Sequence, residues 1–528
     1  MLNNVKDFGA VGDGIADDRT AIQAAIDDAL ATRKAGVLFP AGTYRVTRNP
    51  TPGGRWSLDL KGTHDLTIAG EGPGSVVKLA DSTAKTGDWH VFILRNGCQR
   101  VVFRDLVVDG NRSGLIDPDE QSHGIEVEEG TEDLLIEGCI LRECFGDGIR
   151  LLGRSDTAGG ENVKRVRILN CLFQTNKRSG LGIQRALEQI IVSNCIFDRT
   201  LSDTSIDFEP TGSDGPTDLL IQGCLINHVS QAPAVTLSGI GGPNPLLRCK
   251  FSDNIVLGGN VFCTDVAKLT IQNNTVIVPS SVGKQRIPIQ VQRGGDSVLI
   301  SGNVAASDSM QTSAVISLGE VNARQVTRAM VANNLCYTRS GRGIECLGSD
   351  DVSIQGNMVV ATGPCTQGIH LHAEASPMDS IAVRDNDVTV EGGGAWETGI
   401  RFSAPKPIRH VSVTGNAVRG AAEGVSFQGD RFEQTPLCAL NRVAAGVTSP
   451  IVGLARLPER SLVVGGAANR GGAVEASGGG RFLTGLGNPQ EAVAGNVGDL
   501  FQRVDGGAGS SLYVKEAGNG TKSGWRAV

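Results

Sequence analysis

The chain has 528 residues, with 49 Lys and Arg against 56 Asp and Glu and a formal charge of −7, which argues against a nucleic-acid partner, since phosphate binding requires a basic face. No run of 18 apolar residues occurs, so no membrane-spanning helix is expected, and the opening MLNNVKDFGAVGDG lacks the charged and apolar regions of a secretory leader. Glycine accounts for 71 residues and aromatics for only 4 %, a composition that favours thin layers and tight turns over a large globular core.

Residues 17–32, DDRTAIQAAIDDALAT, place Ile22, Ala25, Ile26, Ala29 and Leu30 at helical spacing. Asp17 or Asp18 is expected to cap this helix, and Asp13 to serve the turn before it. The next segment, AGVLFPAGTYRVT, reads as strand, turn, strand.

From residue 134 to 418 a phrase recurs: LLIEGCIL, VRILNCLF, IIVSNCIF, LLIQGCLI and, later, LTIQNNTV, VSIQGNMV and VSVTGNAV. Its sixth position is Cys139, Cys171, Cys195 and Cys224, then Asn254, Asn274, Asn303, Asn334, Asn357, Asn386 and Asn416. The mean interval is about 28 residues, which marks a solenoid whose units stack on one continuous core. Exposed strand edges at the open end of a solenoid require a cover, and the helix over residues 17–32 supplies it. Four of the 12 cysteines occupy the repeated slot and no CxxC pair exists, so they are read as reduced packing residues rather than zinc ligands or disulfides. The Asn positions are read as stacked ladders that satisfy turn backbone, not as catalytic groups.

The opening NVKDFGAVGDGIADDRTAIQAAIDDA, followed by GVLFPAGTYRV, resembles the N-terminal signature of the pectate lyase and polygalacturonase superfamily, an opening also found in phage tailspikes and capsule depolymerases. The resemblance, with the repeat, covers roughly residues 4–430. It implies an all-β, right-handed parallel β-helix with three short sheets and about three strands per coil. The expected organisation is therefore residues 1–50 as N-terminal cap and first strands, 51–440 as parallel β-helix, and 441–528 as a small Gly-rich β module.

A second strand recurs between the ladder phrases: HGIEVEE, DGIRLLG, LGIQRA, TSIDFEP, AVISLG, RGIECLG, QGIHLHA and TGIRFSA among them. Alternation puts the residue after the glycine inward and its successor outward. This predicts an outward column of Glu126, Arg150, Gln184, Asp207, Thr236, Gln290, Ile316, Glu345, His370, Arg401 and Ser426. A second column two residues on includes Glu128, Glu209, Gln292, His372 and Gln428. Insertions at 109–122, 154–162, 200–217 and 240–248 would project and wall a groove.

The sharpest constellation is Asp207 and Glu209 in DTSIDFEP, two outward carboxylates with Cα atoms about 6.6 Å apart. Such a pair can divide proton donation from nucleophilic or base work in glycoside hydrolysis. Glu126, Glu128, Asp147, Arg150, Gln184, Arg185 and Asp203 are the expected substrate-binding neighbours. The polygalacturonase pattern (NxD, DD, HG, RxK) does not occur in this order, so pectin chemistry is not carried over. A second cluster, Glu345, His370, His372 and Arg401, lies six coils away, about 29 Å along the axis; its histidines could take a metal or act in acid–base chemistry. Neither cluster calls for a metal or other cofactor, although a lyase would admit Ca²⁺.

The ending LYVKEAGNGTKSGWRAV is similar to the C-terminal module of phage tail and tail-fibre proteins. That implies assembly, as a homotrimer, or receptor contact, and an extracellular or virion-associated setting. The leading expectation is a polysaccharide-cleaving glycoside hydrolase. A polysaccharide lyase, with Arg150, Lys177, Arg178 and Arg185 as candidate cations, is the enzymatic alternative. A non-catalytic glycan-binding tail or adhesion protein is the alternative of another class. The expected partner is a polysaccharide, with no nucleic acid and no membrane insertion.

Overall fold

Strand accounts for 56 % of the residues and helix for 4 %. The computed structural model describes the chain apart from residues 84, 155–159, 210–214, 240–244, 281–285, 321–324, 375, 430, 434–436, 445–446, 453–461, 468–471, 477–480, 486, 504 and 508–509. The central parts of the insertions expected at 154–162, 200–217 and 240–248 thus fall outside the described residues. Two compact units, Met1–Lys284 and Gln285–Val528, divide the chain.

The first unit opens with the anticipated helix, α1, at Arg19–Ala31, which buries Ile22, Ala25, Ile26 and Ala29; Leu30 is half-buried. Asp18 stands at the N-cap position but does not cap. Its carboxylate instead accepts from the backbone N–H groups of Val11 and Gly12 at 2.6 and 3.1 Å. Asp17 receives Arg19 N–H and the Thr47 backbone and hydroxyl, and Asp13 receives Ile15 and Ala16. All three acids of the opening motif therefore stabilise turns. The helix is tied to the first coils by Gln23, which exchanges two hydrogen bonds with the Asp59 backbone.

Each coil of this unit has three short strands, and each strand pairs in parallel with its counterpart one coil on. The strands that matter below are the third of each coil: β1 (His90–Arg95), β2 (Ile125–Val127), β3 (Ile149–Leu152), β4 (Leu181–Gln184), β5 (Ile206–Phe208) and β6 (Val235–Ser238). Ile125, Val127, Ile149, Leu151, Leu181, Ile183, Ile206 and Phe208 point inward and are buried. Phe173 and Phe197 stack with centroids 4.5 Å apart, the same side chain recurring one layer on.

The sharp bend between the first and second strands explains the recurring phrase. The residue before each ladder position is Gly, Asn or Asp and has φ of 55–70°, from Gly138 and Asn170 to Asp385 and Gly415. That left-handed backbone is tolerated by these residue types and costly for most others. The ladder residue then turns inward. All 12 cysteines are free and buried, and burial raises the thiols of Cys249 and Cys336 to about 12.

The second unit repeats this three-strand coil. Its third strands include β7 (Ala314–Leu318), β8 (Arg342–Leu347), β9 (Pro364–His372), β10 (Ala395–Ala404) and β11 (Ala421–Gly429). Here the ladder is a chain of buried asparagines. Asn334 Nδ2 and N both donate to Asn357 Oδ1 at 2.9 and 3.0 Å, and Asn357 repeats the pattern on Asn386. Each amide also reaches back to a carbonyl, such as Asn357 Nδ2 to Val331 O at 2.9 Å. The unit ends in short antiparallel strands, including Leu512–Lys515 with Trp525–Ala527, around a small core of Phe501, Tyr513 and Trp525.

Two register expectations need correction. Ile316 is not outward: it pairs with Ile289 and Ile344 and is fully buried, and Ser317 takes the outward place beside Gln290 and Glu345. AVISLG has no glycine before its strand to fix the phase, and a one-residue slip exchanges the faces of a strand. Gln184 is outward but not level with Asp207, because Gly182 pairs with both Arg150 and Asp207. The glycine that aligns with the other coils is Gly180, two residues earlier.

Because Asn357 is 1 % exposed and links two layers, Asn357→Ala leaves donors and acceptors of Asn334, Val331 and Asn386 unpaired. A loss of about 2–4 kcal/mol is expected, seen as a lower denaturation midpoint in chemical unfolding.

Candidate active site

On the outer face of the first unit, β2 to β6 bring Glu126, Arg150, Gly182, Asp207 and Thr236 into one file of directly paired positions. Gly182 is the gap in this file. A Cβ there would lie 2.4 Å from Asp147 Oδ2, so the missing side chain makes the space in which the Asp147 carboxylate sits. Asp147 comes from the turn before β3 and thereby reaches the strand face between Arg150 and Asp207.

His123, in the turn before β2, organises the buried end. Its Nδ1 accepts the backbone N–H of Asp147 at 2.8 Å, which leaves the proton of the neutral ring on Nε2. That nitrogen faces Glu126 Oε2 at 3.8 Å and Arg150 Nη1 at 3.5 Å. His90 stacks on His123, centroids 5.3 Å apart and rings 3° from parallel, and its Nδ1 accepts the His123 N–H at 3.2 Å. Burial is the main cause that holds both rings neutral: His90 falls to about 3 and His123 well below its ordinary value.

The acids respond in the opposite direction. Burial pushes Glu126 up to about 8 against the pull of Arg150, and Asp147 up to about 7 against Arg178. Arg178 approaches Asp147 Oδ2 only to 3.7 Å, and neither Asp147 carboxylate oxygen has a hydrogen-bond partner. Asp207 is half-buried and is raised to about 6, chiefly by burial; the Thr236 hydroxyl, which donates to its Oδ1 at 2.6 Å, works against the rise. Glu209 is exposed and accepts from Arg178 Nη2 at 2.5 Å and from Gln184 Nε2 at 2.8 Å. Gln184 Oε1 in turn accepts from Arg150 Nη2 at 2.5 Å. A continuous chain of polar contacts, Glu126–Arg150–Gln184–Glu209–Arg178, thus frames Asp147 and Asp207.

The remaining expected residues divide. Asp203 is half-buried and raises both Asp147 and Asp207 through its charge. Glu128 lies toward Arg55, 3.5 Å away. Arg185 leaves the strand at φ 66° and, among the described residues, makes no hydrogen bond or ion pair within the frame. Lys177 lies over the Phe145 ring at 3.5 Å. Three contributors were not among the expected site residues: His90, His123 and Gly182. HGIEVEE does display His123, but strand alternation says nothing about a side chain in the preceding turn.

His90, His123 and Glu126 are the group of candidate metal-ligand atoms that, among the described residues, lie within 4.8 Å of one another. Arg150 contacts both Glu126 and His123, at 3.4 and 3.5 Å. Their arrangement serves to fix Arg150 and Asp147.

In the second unit, Glu345, His370, Arg401 and Ser426 form one paired file, with Leu347, His372, Ser403 and Gln428 two residues on. Glu345 is buried against Arg342 and accepts from the Ser317 hydroxyl at 3.4 Å. The His370 and His372 rings meet at 5.2 Å, and burial lowers both. All four residues of the second expected cluster are therefore neighbours.

Residues 2–232 match the family described as rhamnogalacturonase A/epimerase, pectate lyase-like. Mannuronan C5-epimerase AlgE4 of Azotobacter vinelandii is 39 % identical over 153 residues, 28 % of this chain and 27 % of the relative. Alginate lyase 7 of the same organism is 42 % identical over 122 residues, 21 % of this chain and 13 % of its own. The chain thus spans about a quarter or less of these relatives' length. Tailspike protein 3 of bacteriophage CBA120 superposes with a TM-score of 0.43 at 11 % identity, over 100 % of this chain and 69 % of that one.

Glu126 provides a stability test. A carboxyl raised to about 8 in the folded state but ordinary when unfolded keeps its proton longer in the native protein. Stability is then fully present below the unfolded value and falls as pH rises toward 8. Glu126→Gln should flatten that decline between about pH 5 and 8, measured by unfolding midpoints across pH.

The chain folds as a parallel β-helix, and its residues 2–232 match the pectate lyase-like family.

Proposed function

We propose that this protein acts on a uronate-containing polysaccharide by proton transfer at C5, as an epimerase or an eliminating lyase, with Asp207 as the base. The observation that carries this reading is a half-buried carboxyl, raised to about 6, within electrostatic reach of the Arg178 guanidinium. A base with affinity just below neutral is ionised at pH 7 yet retains driving force for proton abstraction. Arg178, with Arg150 behind it, supplies positive charge for the uronate carboxylate and for the charge that develops beside C5. The similarity to mannuronan C5-epimerases and an alginate lyase supports the same chemistry.

In elimination, the C5–H bond breaks, its proton passes to Asp207, its electron pair forms the C4=C5 bond, and the C4 oxygen departs with the C4–O pair and takes a proton from water. In epimerisation, the C5 electron pair is held by the adjacent carboxylate, and C5 then takes a proton from water on the opposite face. Asp147 and Glu126 are too deeply buried to touch a polymer; they and His123 set the position of the arginines. Guanidinium groups rather than Ca²⁺ neutralise the substrate in this scheme, so chelation should leave the rate unchanged.

A hydrolase reading is favoured by one contrast. Glu209 is held in an ion pair with Arg178 while Asp207 is driven toward its protonated form, the division of labour that glycoside hydrolysis uses.

The test is incubation with alginate, polygalacturonate and neutral glucans in D₂O, read by ultraviolet absorbance, C5 deuteration and reducing ends. Elimination gives absorbance, and epimerisation gives C5 deuterium without chain cleavage. Asp207→Asn is expected to lower the rate about 10²–10⁴-fold, and the wild-type rate should rise with pH through about 6 as Asp207 ionises. Reducing ends without absorbance or deuterium would establish hydrolysis, and binding without any product would establish a glycan-binding protein. A fully active Asp207→Asn would remove this residue from the reaction.

A further inference from the structure

The second unit contains a cleft of ≈ 410 Å³ lined by Arg342, Gln367, His370, His372, Arg401 and Gln428, among others, which is large enough for a sugar-sized ligand. Its two arginines are not equivalent. Arg342 is committed, with Glu345 as its charge partner and Gln367 Oε1 accepting from its Nε at 3.0 Å. Arg401, among the described residues, meets no carboxylate: its Nη2 donates to the neutral Gln428 amide, and its buried Nε has no partner. Beside it His370, 4 % exposed, uses Nε2 on the Ser403 hydroxyl at 3.1 Å and leaves Nδ1 unpartnered.

A cation without a counter-ion and a buried ring nitrogen without a hydrogen bond are both expensive to leave unsatisfied. They lie on adjacent paired positions of β9 and β10 and line the same cleft. Surface histidines on a solenoid flank would instead turn to water.

We propose that this cleft is a second glycan subsite that binds the carboxylate of an acidic sugar through Arg401, with His370 and His372 meeting its hydroxyl groups. A guanidinium presents parallel N–H donors that match a carboxylate, and neutral imidazoles can donate or accept as the hydroxyls demand. The subsite grips an anionic polymer without performing chemistry on it. Its ligand class follows the uronate reading of the first unit, but its existence rests on the cleft alone.

The experiment uses the full chain carrying Asp207→Asn to arrest turnover, titrated calorimetrically with an oligomannuronate and with a neutral mannan oligomer of the same length. Adding Arg401→Ala should weaken the acidic oligomer's binding at one of two sites roughly tenfold or more. Arg401→Lys, which keeps the charge but not the planar fork, should fall between; thermal unfolding confirms that both variants fold. Isotherms indifferent to Arg401, or equal binding of the neutral oligomer, would overturn the proposal. Arg401-dependent binding in a protein with no turnover would support the cleft while rejecting the C5 chemistry; turnover with Arg401-independent binding would do the reverse.

Discussion

Parallel backbone pairing between equivalent strands of successive coils is the constraint on which everything else in each unit rests. A strand buried on its inner face tolerates no slip, because a shift of one residue would exchange buried isoleucines for outward polar groups. The turns enforce that register. A left-handed Gly, Asn or Asp starts each bend, and a buried Cys or Asn follows it. In the second unit the asparagine amides carry the register from layer to layer through side-chain and backbone bonds of 2.9–3.0 Å. The cysteines of the first unit fill the same slot by packing, with thiols on nearby carbonyls such as that of Ser193.

Fixed register is also what makes an outward face able to hold strained electrostatics. Glu126 and Asp147 are 1 % exposed, an environment that disfavours ionised carboxyls unless cations compensate. Arg150 and Arg178 compensate in part, and the backbone pairings of β2 to β5 prevent the acids from relaxing outward. Gly182 shows how local the device is: a single missing Cβ admits the Asp147 carboxylate to the file. Asp207, at the edge of this buried patch, inherits a raised proton affinity while remaining open to a ligand.

Much of this was legible from the residues. The period near 28, the Gly/Asn/Asp before each ladder position and the apolar alternation each have a local physical cause, so the parallel solenoid, its helical cover and the outward orientation of Asp207 and Glu209 could be read directly. The proximity of Glu345, His370, His372 and Arg401 followed from the same stacking. The errors arose where the glycine that leads into a strand was misassigned or missing. LGIQRA was aligned on Gly182 instead of Gly180, and AVISLG offered no leading glycine to set the phase of Ile316.

What the sequence by itself determined is the coil: alternation and turn chemistry are encoded within each repeat and need no distant partner to be recognised. Only the tertiary structure decided which outward residues lose water. His90 and His123 are 33 residues apart, yet they stack. Asp147 enters the file from a turn, and Arg178 pairs with a carboxylate 31 residues later. Burial and charge coupling depend on what lies on the adjacent coils and in the turns that flank them. A one-dimensional pattern therefore located the acids but could not say that their proton affinities had been moved toward neutrality.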